Sequence, residues 1–331
     1  MTGAGNTSYC EAILAGFENL FQSDPDVFAI GQGLWSPWYV GNSMRGLKEK
    51  YGADRVVDSP VSELAVTGLG VGAGLSGMKA IVIHPRMDFM ILAMDQIVNQ
   101  ASNWAFMLNS DKHPNLTIRS IINRGGGQGA QHSQALHAWL AHVPGLNVLM
   151  PWSVADAHDL LIAAVNSQRP CIYIDDRWLY EDVGPLSTHG PPTLNEITPK
   201  RVREGSDLTF VGAGFSVSTA IKTAKITEET GISADVFDLR KLTNIDYTDI
   251  VASVERTGRL VSFDGGWQSC GLASEVVAST LQLIDIKTLR NSPLRVTIPA
   301  SPAPASRSLE QLFYPQPKSC ADQIRHWFGF Q

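Results

Sequence analysis

This 331-residue chain lacks the features that mark several large classes of protein. It has only four cysteines (Cys10, Cys171, Cys270 and Cys320) and no Cys-x-x-Cys pair, so neither a zinc site nor a disulfide framework is indicated. Scattered cysteines are typical of a reducing compartment, and we expect a cytoplasmic protein. The N-terminus has no basic region followed by an apolar run, so we expect no signal peptide.

Positive charge and long apolar runs are also scarce. The formal net charge is -6 and no basic block stands out, so nucleic acid is not an expected partner. One stretch, Leu64 to Ile83, is mostly small and apolar, but it contains Lys79 and five glycines. It predicts a closely packed helix followed by a strand at residues 79–83 rather than a membrane span, and we expect no membrane association.

Signatures of nucleotide and hydrolase chemistry are missing. Gly212-Ala-Gly214 follows a predicted strand, but the third glycine of a dinucleotide fingerprint is absent. A tight strand-to-helix turn is therefore favoured over an NAD site. The chain also lacks the phosphate-loop lysine pattern and the Gly-x-Ser-x-Gly elbow, so nucleotide hydrolysis and serine-elbow hydrolysis have no support.

What the chain does contain is a repeated alternation of apolar strands and helices. Helical spacing runs from Ser8 to Leu20, and buried strands are predicted at residues 26–30, 116–122 and 171–174. Apolar strands that alternate with helices predict an α/β fold with a parallel sheet. A proline-rich break separates two such halves, which predicts domains at residues 1–184 and 201–331 joined by a linker at 185–200.

The most informative stretch is Arg124-Gly-Gly-Gly-Gln-Gly-Ala-Gln-His132-Ser-Gln134. Glycines remove side chains from a loop, so a ligand or another part of the chain can approach its backbone closely. His132 then supplies a group that can move a proton near neutral pH. A structural histidine is the alternative interpretation.

A second candidate is Glu63, at the end of Asp58-Ser-Pro-Val-Ser-Glu63. Ser59 and Pro60 predict a helix start, with Ser59 as the N-cap and Pro60 in the first position. Glu63 is then either an exposed acid that complements the helix dipole or a carboxylate that enters a packed region. The small, apolar residues that follow favour the second interpretation, because a buried carboxylate needs a partner or a ligand.

The third candidate region comprises Asp88-Phe89 and Asp95-Gln96, which flank the start of a helix predicted from Leu92 to Leu108. Taken alone, Phe89 is typical of a core residue. Asp95, which is followed by Gln96, is typical of a helix cap.

Together these stretches resemble the β subunits of thiamine-diphosphate-dependent 2-oxo acid dehydrogenases of the pyruvate, branched-chain and acetoin types. The resemblance extends from Phe28 to Tyr314. The matching stretches are residues 55–63, 93–101, 129–134, 143–151, 156–161, 178–180, 236–240, 253–258 and 264–267.

The resemblance implies a pyrimidine-binding domain followed by a transketolase-type C-terminal domain. It also implies thiamine diphosphate bound between two subunits. In this family an α-type subunit holds the diphosphate and Mg²⁺ through a Gly-Asp-Gly…Asn motif, which this chain lacks. The chain thus resembles half of an active site in an α₂β₂ heterotetramer, with a lipoyl acyltransferase as a further expected partner.

The resemblance also assigns roles to individual residues. Glu63 matches the glutamate that hydrogen-bonds the pyrimidine ring and promotes its imino tautomer, which is acid–base work by a positioned carboxyl group. Phe89 matches the aromatic residue that packs on the pyrimidine. His132 matches the histidine that faces the reacting carbon.

Further positions follow from the same resemblance. Gln32 and Gln96 are expected to bind the cofactor, although Gln32 stands where the family usually has an acid, so a neutral amide replaces a charged group. Family members often bind K⁺ through backbone carbonyls, and the equivalent loop here lies near Asn166 to Arg169.

Three functional hypotheses remain open from the sequence. The first is a dehydrogenase β subunit that decarboxylates a 2-oxo acid and passes the acyl group to a lipoyl carrier. The second is a subunit of a carboligase or transketolase-like enzyme without a lipoyl partner. The third is a catalytically silent scaffolding subunit, against which the intact Glu63, Phe89 and His132 argue.

Overall fold

A computed structural model describes residues 5–36 and 38–329 of the chain. These residues form two compact units. The first unit comprises the described residues of Met1–Arg124 together with Trp139–Ile197, and the second comprises Gly125–Ala138 and the described residues of Thr198–Gln331. The glycine-rich segment therefore groups with the second unit, although it lies within the first half of the sequence.

The first unit is built around a six-stranded parallel sheet in the order β3-β2-β4-β5-β7-β6. Strands β1 and β8 form a separate two-stranded antiparallel sheet. The elements are β1 (Thr7–Ser8), α1 (Tyr9–Ser23), β2 (Val27–Gln32), α2 (Leu47–Tyr51), β3 (Val56–Ser59), α3 (Glu63–Leu75), β4 (Lys79–His84), α4 (Met87–Met90), α5 (Trp104–Met107), β5 (Leu116–Ile122), α6 (His137–Ala141, which begins in the second unit), β6 (Asn147–Leu149), α7 (Val154–Asn166), β7 (Cys171–Asp176) and β8 (Val183–Gly184).

The second unit contains a five-stranded sheet in the order β13-β12-β10-β11-β9, in which only β9 runs antiparallel to its neighbour. Its elements are β9 (Lys200–Arg203), β10 (Leu208–Gly212), α8 (Phe215–Glu228), β11 (Ala234–Asp238), α9 (Thr248–Thr257), β12 (Leu260–Trp267), α10 (Leu272–Leu283), β13 (Leu294–Ile298), α11 (Arg307–Phe313) and α12 (Pro317–Phe328).

The small residues of α3 let it lie very close to the sheet. A Cβ atom at Gly74 would come within 2.8 Å of the backbone nitrogen of Asn115, so only glycine fits there. The predicted order of a packed helix and then a strand is confirmed, since β4 follows directly after α3. Within residues 5–36 and 38–329, no helix has the length and apolar character needed to cross a membrane.

The start of α3 differs from the sequence-based prediction. Ser59 does not cap a helix, because it is the last residue of β3 and pairs in parallel register with Gln32 of β2. The sheet ladder continues past the apolar Val56 and Val57, through Asp58 to Ser59. The helix begins instead at Glu63, with Ser62 as its N-cap residue.

The predicted helix from Leu92 to Leu108 is present only as a broken series of turns. A short 3₁₀ turn at Ile91–Ala93 leads into a wide π-helical stretch at Asp95–Ser102, and α5 follows. Wide helical turns of this kind are rare and often occur at functional sites. Hydrophobic periodicity alone could not distinguish them from a regular helix.

The core of the first unit contains a fully buried ion pair. Two guanidinium nitrogens of Arg119 donate to the two carboxylate oxygens of Asp175 at 2.9 and 2.8 Å. Another guanidinium N–H donates to Ser43 Oγ at 2.8 Å, and Tyr180 Oη donates to Asp175 at 2.5 Å. The network satisfies the buried charges and fixes the segment that carries Ser43 against β5 and β7.

Candidate active site

The carboxyl ends of β2, β3 and β4 converge on one side of the first sheet, at Gln32, Ser59 and His84. The chain passes from β2 to β3 on one side and then to β4 on the other, so the order of the strands reverses at β2. Parallel α/β sheets bind their ligands outside the carboxyl ends of the strands at such a reversal.

A cavity of about 220 Å³ occupies this position. It is lined by Gln32, Tyr39, Val61, Glu63, His84, Pro85, Arg86, Phe89 and Leu92. A much smaller cavity of about 10 Å³ shares Gln32, Glu63, His84 and Pro85 with it and also reaches Ser59. The larger cavity has mostly apolar walls with a few polar groups, as is usual for a site that binds a small molecule.

Glu63 is the one carboxylate among the residues that line the larger cavity. It is half-buried in the first turn of α3, where the helix dipole favours negative charge. Its carboxylate accepts no hydrogen bond from any residue that the structure describes. The carboxylate is therefore available to a ligand in the cavity.

His84 stabilises the position of α3 from the end of β4. The hydroxyl of Thr67, one helical turn after Glu63, lies 3.1 Å from His84 Nε2 in a hydrogen bond. Burial lowers the pKa of His84 to about 4, so the imidazole is neutral near pH 7. A neutral histidine can hold the helix start without adding a charge beside Glu63.

Aromatic side chains form two parts of the cavity wall. Phe89, in α4, lines it with about a third of its surface exposed. Tyr39 also lines it, although no sequence pattern pointed to this residue. The backbone carbonyl of Tyr39 accepts a hydrogen bond from Arg177. Gly33, in the turn after β2, donates its amide N–H to the carboxylate of Asp58 at 2.6 Å.

The structure thus places Gln32, Glu63 and Phe89 around one cavity. Gln96 is not among the residues that line it. Its Nε2 atom donates to Asp95 at 3.3 Å, and its Cγ atom would lie 3.6 Å from a Cβ atom at Gly68 of α3. A role for Gln96 in cofactor binding stays a prediction.

His132 belongs to the second unit and is half-buried there. Its backbone N–H donates to the Gly129 carbonyl at 3.4 Å, which forms a turn within the glycine-rich segment. The sequence found this residue through the glycines that precede it, and its catalytic role stays a prediction.

The loop predicted to bind K⁺ follows α7. The side-chain oxygen of Asn166 accepts a hydrogen bond from Lys79 at 2.9 Å, and the Arg169 N–H donates to Ser167 Oγ at 3.2 Å. Among the residues that the structure describes, no cluster of three or more His, Cys, Asp or Glu side chains could hold a metal ion.

Two family models match the chain. The "Transketolase, pyrimidine binding domain" model covers residues 6–182, and the "Transketolase, C-terminal domain" model covers residues 198–320. The pyruvate dehydrogenase E1 component subunit beta-1, mitochondrial, of Arabidopsis thaliana is 34% identical over 318 residues, which are 95% of this chain and 87% of that protein. This chain belongs to the transketolase-type E1 β-subunit family.

Other relatives support the same assignment. The pyruvate dehydrogenase E1 component subunit beta of Rhizobium meliloti (strain 1021) is 31% identical over 320 residues, which are 95% of this chain and 68% of that protein. Among solved structures, a split-gene transketolase described as an inactive beta4 tetramer superposes with a TM-score of 0.76 at 20% identity, covering 98% of this chain and 99% of the other.

Transketolase from Pichia stipitis gives a TM-score of 0.68 at 14% identity, and this chain spans 46% of its length. Both structural likenesses concern the fold. The predicted fold class is confirmed, as is the predicted type of enzyme, the β subunit of a thiamine-diphosphate-dependent 2-oxo acid dehydrogenase. The carboligase and scaffolding hypotheses are not favoured.

The residues around the cavity fit one end of thiamine diphosphate. An aminopyrimidine is a flat ring with polar nitrogen atoms on its edge, and the cavity offers aromatic walls together with one carboxylate that has no hydrogen-bond partner among the described residues. The walls would contact the face of such a ring, and the carboxyl group of Glu63 would contact its edge.

Proposed function

We propose that this E1 β subunit forms the pyrimidine-binding half of an active site, with Glu63 as its proton-handling group. The observation that carries the proposal is the carboxylate of Glu63, which lines the cavity and has no hydrogen-bond partner among the described residues. In its protonated form Glu63 donates to a ring nitrogen of the aminopyrimidine, and the same group takes the proton back later in the cycle. The bound cofactor supplies the stabilisation of carbanion character.

The other cavity residues orient the ring in this proposal. Phe89 and Tyr39 exclude water from its faces, and Gln32 offers an amide donor and acceptor near its edge. We also propose His132 as a second proton-transfer group during acyl transfer, the role that the family resemblance gives it.

An α-type subunit completes the active site in this proposal and gives an α₂β₂ assembly. This sequence contains no Gly-Asp-Gly followed by a suitable Asn, so we assign the diphosphate and Mg²⁺ to that partner. Val61 and Leu92, which line the cavity, are each more than half exposed, as are Leu64 and Leu69 of α3. Exposed apolar side chains beside a binding site are typical of a surface that a partner covers.

We also propose an acceptor for the acyl group, a cation bound by the loop after α7 and a cellular compartment. A lipoyl acyltransferase receives the acyl group, and K⁺ binds the backbone of Asn166–Arg169 in the turn after α7. All four cysteines are unpaired, which suits a reducing compartment such as the cytoplasm, whereas the plant relative is named a mitochondrial protein.

Mass spectrometry of the native complex purified through this chain tests the assembly. We expect an α-type companion that carries Gly-Asp-Gly…Asn, together with a lipoyl acyltransferase. The assembled enzyme should then reductively acylate a lipoyl domain. Purification of this chain without any companion would contradict the half-site proposal.

Glu63→Gln in the assembled enzyme tests the chemistry. We expect turnover to fall by about 10²–10⁴-fold, because the amide cannot transfer the proton. Glu49→Gln is the matched control, since Glu49 is an exposed acid of α2 in the same unit. Turnover close to that of the unmodified enzyme in Glu63→Gln would show that the assignment of Glu63 is wrong.

A further inference from the structure

The glycine-rich segment of the second unit, residues 125–138, carries His132 midway between two contacts with buried carboxylates. Gly127 precedes His132 by five residues, and His137 follows it by five. Gly127 and His137 each hydrogen-bond to a buried carboxylate elsewhere in the same unit. The segment is therefore held on both sides of the histidine rather than at one end.

The first contact joins Gly127 to α11. The Gly127 N–H donates to Glu310 Oε2 at 2.9 Å, and Glu310 is buried. Gly127 has a φ of +74°, and a Cβ atom there would lie 2.6 Å from the carbonyl oxygen of Ala305. Only glycine allows both the backbone conformation and this close approach, so the contact depends on the loop sequence as well as on the acid.

The second contact joins His137 to β12. His137 Nε2 donates to Asp264 Oδ1 at 2.9 Å, and both side chains are only 1% exposed. The carboxylate also accepts from the Gly266 amide at 2.7 Å and from the Ala273 amide at 3.1 Å. Burial alone would raise the pKa of Asp264, but His137 and the two amides outweigh burial and hold it below its usual range.

The two contacts are joined through β12. Trp267, the last residue of that strand, donates its indole N–H to the Ser301 carbonyl at 3.0 Å. Ser301 lies in the loop that continues to Ala305, on which Gly127 packs. The strand that holds His137 through Asp264 thus also supports the surface under Gly127.

We propose that Glu310 and the His137–Asp264 pair form a two-point clasp that fixes residues 125–138 on the second unit and positions His132. These are positioning residues, because they act on the segment and not on a substrate. The consequence for turnover rests on the proposed catalytic role of His132. The consequence for the structure of the segment does not, so the two can be tested separately.

The test uses the full chain assembled with its α-type partner. Glu310→Ala and His137→Ala each remove one contact. Glu310→Gln keeps an acceptor for the Gly127 amide, and His137→Gln keeps a donor for Asp264. Glu228→Gln is the matched control, since this acid pairs with Arg203 in the same unit, away from the segment in sequence.

Two measurements report on the segment without requiring activity. Hydrogen–deuterium exchange of peptides from residues 125–138 measures its opening, and carbethoxylation of His132 by diethyl pyrocarbonate measures the accessibility of the imidazole. We expect both to rise by about tenfold in the alanine variants, the scale of losing one hydrogen bond to a charged group. The glutamine variants and Glu228→Gln should stay near the unmodified chain.

The outcomes are distinct. Unchanged exchange and unchanged His132 modification in both alanine variants would overturn the clasp. If His137→Ala does not fold, Glu310→Ala decides the matter from the other contact. If the segment opens and kcat does not fall, the clasp stands and the catalytic role of His132 fails.

Discussion

Glu63 in the first unit and Asp264 in the second unit are carboxylates with opposite surroundings. Asp264 is fully buried and accepts hydrogen bonds from His137, Gly266 and Ala273. Glu63 is half-buried, lines a cavity and accepts none from the described residues. A carboxylate whose oxygens are all hydrogen-bonded holds a structure together, whereas a carboxylate without a protein partner beside a cavity is available for binding and proton transfer.

The strongest test of this difference replaces each acid and compares the two losses of thermal stability. Asp264→Ala leaves His137 and two amides without their buried partner, so we expect a loss of about 3–5 kcal/mol and a fall in Tm on the order of 10 °C. Glu63→Gln should lower Tm by no more than about 2 °C, because no described contact is lost. Thermal unfolding of both variants measures this. An equal fall in Tm in the two variants would show that the two carboxylates do not differ in their contribution to stability.

The buried Arg119–Asp175 pair of the first unit provides a second test of how much a buried carboxylate depends on its partner. Arg119→Leu leaves the carboxylate of Asp175 buried and uncompensated, so we expect a loss of about 3–5 kcal/mol. The double variant Arg119→Leu with Asp175→Leu removes both charges and should recover most of that loss. Urea unfolding of both chains gives the free energies. A double variant less stable than the single one would contradict this account.

His84 predicts a pH dependence that is specific to the first unit. Its pKa is about 4 when folded and 6.5 when unfolded, so the unfolded chain binds the extra proton between these values. Stability is therefore complete above about pH 6.5 and falls as the pH drops towards 4, by about 3 kcal/mol in total. Tm measured from pH 7 to pH 5 should decline more steeply in the unmodified chain than in His84→Gln. Parallel curves of Tm against pH in the two chains would contradict the low pKa of His84 in the folded chain.

The smallest expected effect concerns the aromatic wall beside Glu63. Phe89→Leu keeps the cavity apolar but removes the aromatic face, so we expect a loss of about 0.5–1.5 kcal/mol, or roughly two- to tenfold in the affinity for thiamine diphosphate. Isothermal titration calorimetry of the assembled enzyme measures it. Phe106→Leu is the control, because Phe106 is almost fully exposed and does not line the cavity. Equal affinities in Phe89→Leu and the unmodified enzyme would remove Phe89 from the site.

Much of the fold could be predicted from the sequence because its signals are local. The capping box of Ser8 and Glu11 starts α1, and β5 occupies the predicted range 116–122. The error at Ser59 has a long-range cause. A serine followed by proline resembles a helix start, but pairing with Gln32 kept Ser59 in the sheet.

The candidate site could be predicted only in part. Glu63 was found through the small, apolar residues that follow it and Phe89 through the family resemblance, and both line the cavity. Tyr39 and His84 were missed, since neither lies in a recognisable pattern. They reach the cavity because separate strands of the parallel sheet end on the same side.

Residue types at fixed spacings along the chain are enough to predict the alternation of strands and helices, the glycine-rich segment around His132 and the membership of the E1 β-subunit family. The tertiary structure sets the difference between the hydrogen-bonded carboxylate of Asp264 and the open carboxylate of Glu63. It also decided that His137 meets Asp264, 127 residues further along the chain. Contacts over such distances depend on how the strands order within a sheet, and local sequence does not encode that order.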